Sequence, residues 1–249
     1  MVSEAFLLSL VAGTATGLGG LIVVTKGRLS ARFISGSMGF ASGVMLLVSF
    51  LNLFIEALEL SSYLNVSLAF AFGSVLMIVV DAFLPHLELG KREDGYYLES
   101  RMLKSGMLIL IGITLHNIPE GIIISAGYSH VPQLGVLIAI AVFFHNVPEG
   151  IATAIPLRSG GSRRRDVLLI TAISGLAEPF GALLGGTLLI NASPEVIGIA
   201  LAFAAGVMTY ITADELIPVA HEYGHKHAVS TGILLGILFM LLLNNLFPV

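Results

Sequence analysis

The sequence predicts an all-α polytopic membrane protein with eight transmembrane helices, and three observations carry that reading. First, the 249-residue chain is 56% hydrophobic and only 11% charged, with a mean hydropathy of +0.95. A soluble domain is about 25% charged, and this much apolar surface does not fit inside one water-facing fold. Second, eight stretches reach the roughly 20 apolar residues that a bilayer span needs. They run over 4–24, 34–58, 63–84, 103–128, 133–157, 167–190, 195–219 and 229–247. Third, all 12 Lys and Arg fall in alternate connections.

Span 1 has no basic segment before it, so it reads as a membrane helix and not a cleaved signal peptide. Lys26, Arg28 and Arg32 separate spans 1 and 2, and Lys91, Arg92, Arg101 and Lys104 lie between spans 3 and 4 or just inside span 4. Arg158, Arg163, Arg164 and Arg165 separate spans 5 and 6, and Lys226 lies between spans 7 and 8. The other connections, near Ser61–Tyr63, His130–Gln133 and Asn191–Glu195, carry no Lys or Arg. Basic loops stay in the cytoplasm, so an eight-span count puts both termini outside. The chain is expected to form a single transmembrane domain, 1–249, in the cell membrane, with the lipid bilayer as its principal partner.

The remaining composition narrows the function. The chain has no Cys, which removes disulfides and thiolate metal sites. No Walker sequence or nucleotide fingerprint occurs, which argues against a primary ATP-driven pump. No nucleic acid partner and no organic cofactor are expected. Gly13-x-x-x-Gly17, Gly39-x-x-x-Gly43 and Gly181-x-x-x-Gly185 are small-residue patterns that let helices approach closely. Met38, Met45 and Met77 read as core filler.

Two strings stand out inside the apolar runs: "HNIPEG" at 116–121 and "HNVPEG" at 145–150. Ionisable groups in a bilayer are costly and usually face a cavity or a partner. Positions i and i+4 share a helix face, so His116 and Glu120 point one way on span 4, as do His145 and Glu149 on span 5. Asn117 and Asn146 sit about 100° round from each His. Pro119 and Pro148 have no N–H to offer the carbonyls of Leu115 and Phe144, so a kink and a free carbonyl are expected in each helix. A single buried His or Glu is as well explained by packing, but two matching strings in adjacent spans are not. Imidazole nitrogen and carboxylate oxygen without sulfur suit divalent ions such as Zn²⁺, Fe²⁺, Mn²⁺ or Co²⁺, and two His with two Glu satisfy a four-coordinate ion. Glu178, followed by Pro179 on span 6, is expected to join Asn117, Asn146 and a shared Glu149 in a second position.

The paired H-N-x-P-E-G strings, followed by "ISGLAEPFGALLGG" and "AGVMTYITADELIPVAH", resemble the ZIP (Zrt/Irt-like) divalent metal transporters, most closely their ZupT/GufA-like prokaryotic branch. The resemblance extends over nearly the whole chain. It implies a bundle in which spans 1–3 and 6–8 are inverted repeats around spans 4 and 5. It implies a binuclear centre of His116, Asn117, Glu120, His145, Asn146, Glu149 and Glu178. It also implies uptake of zinc, and often iron, manganese, cobalt or cadmium, into the cytoplasm. Some relatives carry Asp where this chain has Asn146, and some a neutral residue where it has His145, so the second position is expected to be less charged here.

The resemblance also suggests a route. Asn52 and Glu56 at the end of span 2, with Asn244 and Asn245 near the end of span 8, correspond to the family's polar entrance; capping at the interface is the alternative. Asp214 and Glu215 stand where relatives carry inner-pathway ligands. His221, Glu222, His225 and His227 follow them, either receiving an outgoing ion or forming a solvated loop. Asp81, His86 and Glu88 border the 85–102 connection, which holds a single His and so offers little metal buffering. A homodimer is left open. The competing functions are a membrane-embedded zinc hydrolase, which usually carries H-E-x-x-H, and a metal sensor without transport. Neither the choice between carrier and channel nor proton coupling is readable from the residues.

Overall fold

Long apolar stretches in the order expected become long helices. The computed structural model describes residues 2–27, 29–83, 114, 117–189 and 191–247. The described elements, numbered along the chain, are α1 (Val2–Lys26), α2 (Ala31–Leu60), α3 (Tyr63–Phe83), α4 (117–130), α5 (Pro132–Ser159), α6 (Arg164–Leu189), α7 (Pro194–Glu222) and α8 (Lys226–Leu246). Seven of them are long and apolar enough to cross a membrane. The helix at 117–130 is the end of predicted span 4, whose beginning lies outside the described residues. No strand occurs among the described residues.

Local chemistry sets the ends. Ser30 caps α2 by accepting the Phe33 N–H, and Ser193 caps α7 by accepting that of Val196; each satisfies a donor that a helix start leaves free. Val131 is extended and Pro132 opens α5, where proline's missing N–H costs nothing. α5 then runs on through Pro148 and Pro156 without a break.

Three helices depart from regular winding. α6 is split at Leu176 into Arg164–Gly175 and Ala177–Leu189. Pro179 has no N–H for the Gly175 carbonyl, which fits the break. α2 and α7 each contain a π-helical segment, Val48–Phe54 and Thr212–Leu216. In α7 the wider winding lies just before Pro218, whose ring would crowd the Asp214 carbonyl in a regular helix. Such segments often occur at functional positions.

Packing divides the helices into two groups. α1 lies along α5 and against both segments of α6, α8 lies along α2, and α3 lies along α7. α4 meets α6: Gly121 faces the Glu178 backbone, Gly181 faces Ile118, and Ser125 Oγ donates to the Ala182 carbonyl at 2.6 Å. One group is therefore α1, α4, α5 and α6, and the other is α2, α3, α7 and α8. The contact between them runs mainly along α2 and α5. α5 is the most enclosed span, 72% buried over its apolar window, against 17% for α3. α3 instead presents Leu68, Phe72 and Val75 outward, as a lipid-facing helix must.

Glycine is what brings backbones together. Gly13 and Gly175 face each other so closely that a Cβ on either would meet the other's carbonyl oxygen. Gly19 meets Val147 and Gly150 meets Thr16 across α1 and α5. Gly39 and Gly43 lie on Val229 and Ile233 of α8, and Gly73 and Gly206 join α3 to α7. Among the described residues, each of these backbone-to-backbone contacts lies within one group. Without a hydrophobic drive between helices in lipid, such close packing holds a bundle together.

The inverted repeat can be read residue by residue. Ala12, Gly13, Thr16 and Gly19 on α1 correspond in register to Ser174, Gly175, Glu178 and Gly181 on α6. Gly19 packs on Val147 as Gly181 packs on Ile118, and Thr16 packs on Gly150 as Glu178 packs on Gly121. The Gly13–Gly175 contact, reciprocal by itself, lies on the pseudo-two-fold axis. Gly13→Ala is expected to lower thermal stability in detergent by about 1–3 kcal/mol through overpacking. Gly36→Ala, where a Cβ finds its nearest atom at 3.7 Å, is expected to be close to neutral. Equal melting temperatures for the two variants would contradict this packing account.

Candidate metal centre

Helical periodicity puts the polar residues of α4 and α5 on facing sides, where Glu120 meets His145, and Gly121 and Gly150 let these helices lie close on α6 and α1. Glu120, His145 and Glu149 are buried to 1% exposure or less. His145 Nε2 lies 3.1 Å from Glu120 Oε1 and 2.9 Å from Glu149 Oε1. One donor atom from each residue falls within 4.8 Å of the others, and this is the sole group of three or more metal-ligating side chains found among the described residues. A tetrahedral ion with bonds of about 2.0–2.1 Å holds its donors about 3.3 Å apart, so the three atoms are close to a coordinating arrangement. His116 lies outside the described residues.

The asparagines extend the polar cluster toward α1 and α6. Asn117 Nδ2 donates to the Ser174 carbonyl at 3.2 Å, beside the break in α6. Asn146 Nδ2 donates to the Ala12 carbonyl at 3.1 Å and also to Glu178 Oε1. A carbonyl can only accept, so each amide nitrogen is committed to the neighbouring helix and each Oδ1 is turned elsewhere. Among the described residues no hydrogen bond reaches Asn117 Oδ1, Asn146 Oδ1, Glu120 Oε2, Glu178 Oε2 or His145 Nδ1. Buried polar atoms rarely go unpaired. Here the unpaired ones are mostly oxygens, the atoms that a cation would use.

Electrostatics points the same way. Three carboxylates, of Glu120, Glu149 and Glu178, share a region with less than 2% exposure. Each charged residue at a bilayer's centre costs at least about 2.5 kcal/mol on insertion scales, and like charges add repulsion. Glu178 stands in the first turn of the second segment of α6, where the helix dipole favours a negative group. A divalent cation would neutralise two of the carboxylates and use the unpaired oxygens.

The expected route residues are distributed more loosely. Asn52 lies in the π segment of α2 and is buried. Its amide pairs with Asn244 of α8, Nδ2 to Oδ1 at 2.6 Å. Glu56 is bonded to His130 at the end of α4. Asn245 is exposed. Asp214 and Glu215 lie in the π segment of α7, the first exposed and the second half-buried. His221, Glu222, His225 and His227 are exposed and do not converge on a three-donor set. His221 Nδ1 is instead 2.8 Å from its own helix's Ile217 carbonyl. Asp81 is helical, and His86 and Glu88 lie outside the described residues.

Sequence reasoning did not single out His130. Its signal was position: Glu56 ends span 2 and His130 ends span 4, at the same side of the membrane in an eight-span count. The Glu56–His130 bond joins the two helix groups at that end.

Comparison with known proteins accords with this geometry. The family model described as ZIP Zinc transporter matches residues 90–244. The chain is 40% identical to the zinc transporter ZupT of Corynebacterium glutamicum, across 95% of this chain and 96% of that protein. It is 39% identical to the ZupT of Chlorobium luteolum, over 96% of each. It is 38% identical to that of Nitratidesulfovibrio vulgaris, over 98% of this chain and 96% of the other. The helical bundle, its buried Glu–His–Glu cluster and these full-length similarities lead to one assignment: the chain belongs to the ZIP zinc transporter family, in its ZupT-like branch.

Proposed function

We propose that this protein moves a divalent metal ion, zinc first and iron, manganese, cobalt or cadmium as candidates, across the cell membrane into the cytoplasm. The observation that carries the reading is the convergence of Glu120, His145 and Glu149 deep between α4 and α5. His116 completes the first ion position. Asn117, Asn146 and Glu178, with Glu149 shared, form the second.

The ion enters near Asn52, Glu56, Asn244 and Asn245 and exchanges water for the mid-membrane donors. It leaves past Asp214, Glu215, His221, Glu222 and His225. The described centre residues lie on α4, α5 and α6, and the glycine contacts hold these helices and α1 together as one group. Movement of this group along α2 would carry the centre from one side to the other. The Glu56–His130 bond bridges the groups at one end; with that end outside, as proposed, it belongs to an outward-closed state. The hydrolase alternative loses ground because the relatives are transporters and α5 carries H-N-x-P-E, without the usual general base. The sensor alternative loses ground on the same footing, since the relatives are named as zinc transporters.

Three measurements test this reading. Glu149→Gln, in proteoliposomes, is expected to reduce zinc uptake at least about 100-fold, because even outer-shell changes at metal sites cost 10–100-fold. Uptake within a factor of two of the native protein would remove Glu149 from the pathway. Ligands must be deprotonated to bind, so zinc affinity of the purified protein should fall as pH drops from about 7.5 to about 5.5; an affinity that rises with acid contradicts the ligand set. The chain has no native Cys, so single-cysteine variants report orientation. In intact cells, Asn191→Cys should react with a membrane-impermeant maleimide and Arg164→Cys should not, and the reverse pattern would invert the topology.

A further inference from the structure

We propose that Thr16 of α1 is a further cargo-binding residue, supplying a neutral hydroxyl oxygen to the transported cation on the Asn117 side of the centre. The proposal rests on the reading of α4 and α5 as the transport site, and it adds a ligand from a helix to which no donor has been assigned.

Three observations meet at this residue. The first is register. Thr16 is the inverted-repeat counterpart of Glu178, and the correspondence holds at four positions on each helix, with Gly13 and Gly175 in mutual contact on the axis. Glu178 reaches Asn146 of α5. Under the same two-fold, the position that corresponds to the Glu178–Asn146 pair is Thr16 with Asn117 of α4. The asparagines obey that symmetry independently, Asn117 donating to the Ser174 carbonyl and Asn146 to that of Ala12.

The second is burial without a partner. Thr16 is 0% exposed, and among the described residues its Oγ1 makes no hydrogen bond. The third explains why. A helical threonine ordinarily donates to the carbonyl four residues back, as Thr153, Thr171, Thr209 and Thr212 do here. For Thr16 that carbonyl belongs to Ala12, and Asn146 Nδ2 already occupies it. The Gly13 carbonyl, three residues back, is covered by Gly175. The hydroxyl is thus denied both local acceptors, beside a cluster whose own unpaired atoms include Asn117 Oδ1. A hydroxyl oxygen and an amide oxygen make a hard, uncharged pair, a donor type that suits manganese better than softer ions. Where the α6 half of the centre places a carboxylate, the α1 half places a neutral oxygen, which keeps the net negative charge of the site lower than a symmetric pair of glutamates would.

Thr16→Val is nearly isosteric and keeps the backbone contact with Gly150, and Thr16→Ser keeps the hydroxyl. Uptake of zinc and manganese into proteoliposomes would be measured for both variants, together with zinc affinity of the purified protein by chelator competition and its melting temperature. Thr16→Val is expected to raise KM about five- to tenfold, more for manganese than for zinc, with saturating turnover and melting unchanged. Thr16→Ser should stay within about a factor of two of native KM. A native KM in Thr16→Val overturns the proposal, as does a Thr16→Val that loses melting temperature, turnover and affinity together. Glu149→Gln run alongside separates the two readings: if it abolishes uptake while Thr16→Val is silent, only the role of Thr16 falls.

Discussion

Charge kept away from water is the condition that organises this molecule. Glu120, His145, Glu149 and Glu178 are all essentially inaccessible, in helices whose outer faces are made for lipid. Such a set is tolerable only if its members share a counter-charge, and the unpaired oxygens around them are the places where one would bind. The packing of α1, α4, α5 and α6 follows from that demand. Glycine at Gly121 and Gly150 lets the polar faces of α4 and α5 lie directly on α6 and α1. The asparagines then use their N–H groups on backbone carbonyls, and among the described residues their oxygens are left without a hydrogen-bond partner. A larger residue at any of these glycines would separate the helices that the donors must bridge.

The division into two helix groups has the same origin. Close backbone contacts fuse α1 with α5 and α6, and α2 with α8, while no such glycine contact crosses between groups among the described residues. In the proposed mechanism, a bundle welded within its halves and not between them moves along this seam. The π segments of α2 and α7, and the break at Leu176, add weak points of backbone winding where such movement is least costly. The seam is bridged at one end by Glu56 and His130, two side chains that also suit a divalent ion.

The meeting of Glu120, His145 and Glu149 was readable from one chain because the spacing that produces it is local. The i, i+4 spacing of His145 and Glu149 fixes a common face, and repetition of the string on the preceding helix names the partner. The loop charges count the spans. Other features were hidden for definite reasons. Helical period tells which face a residue occupies but not which helix lies against it, so the Glu56–His130 bond could not be derived. A threonine in an apolar helix is normally satisfied by its own backbone, so Thr16 stood out only once Asn146 was seen on the Ala12 carbonyl. Pro179 announced a loosened helix, and the break came three residues earlier, where the freed carbonyls are. The His-rich end of α7 read in sequence either as a set receiving an outgoing ion or as a solvated loop; in space its side chains are exposed and form no three-donor group among the described residues, because successive residues on a helix end and a turn diverge.

X-ray absorption spectroscopy at the zinc edge, on zinc-loaded protein in detergent, would decide whether α4 and α5 pool nitrogen and oxygen donors around one dication. The account predicts a first shell of nitrogen and oxygen at about 2.0–2.1 Å, with imidazole outer-shell scattering that diminishes in His145→Ala. A shell of water oxygens alone, or a spectrum identical in His145→Ala, would contradict it.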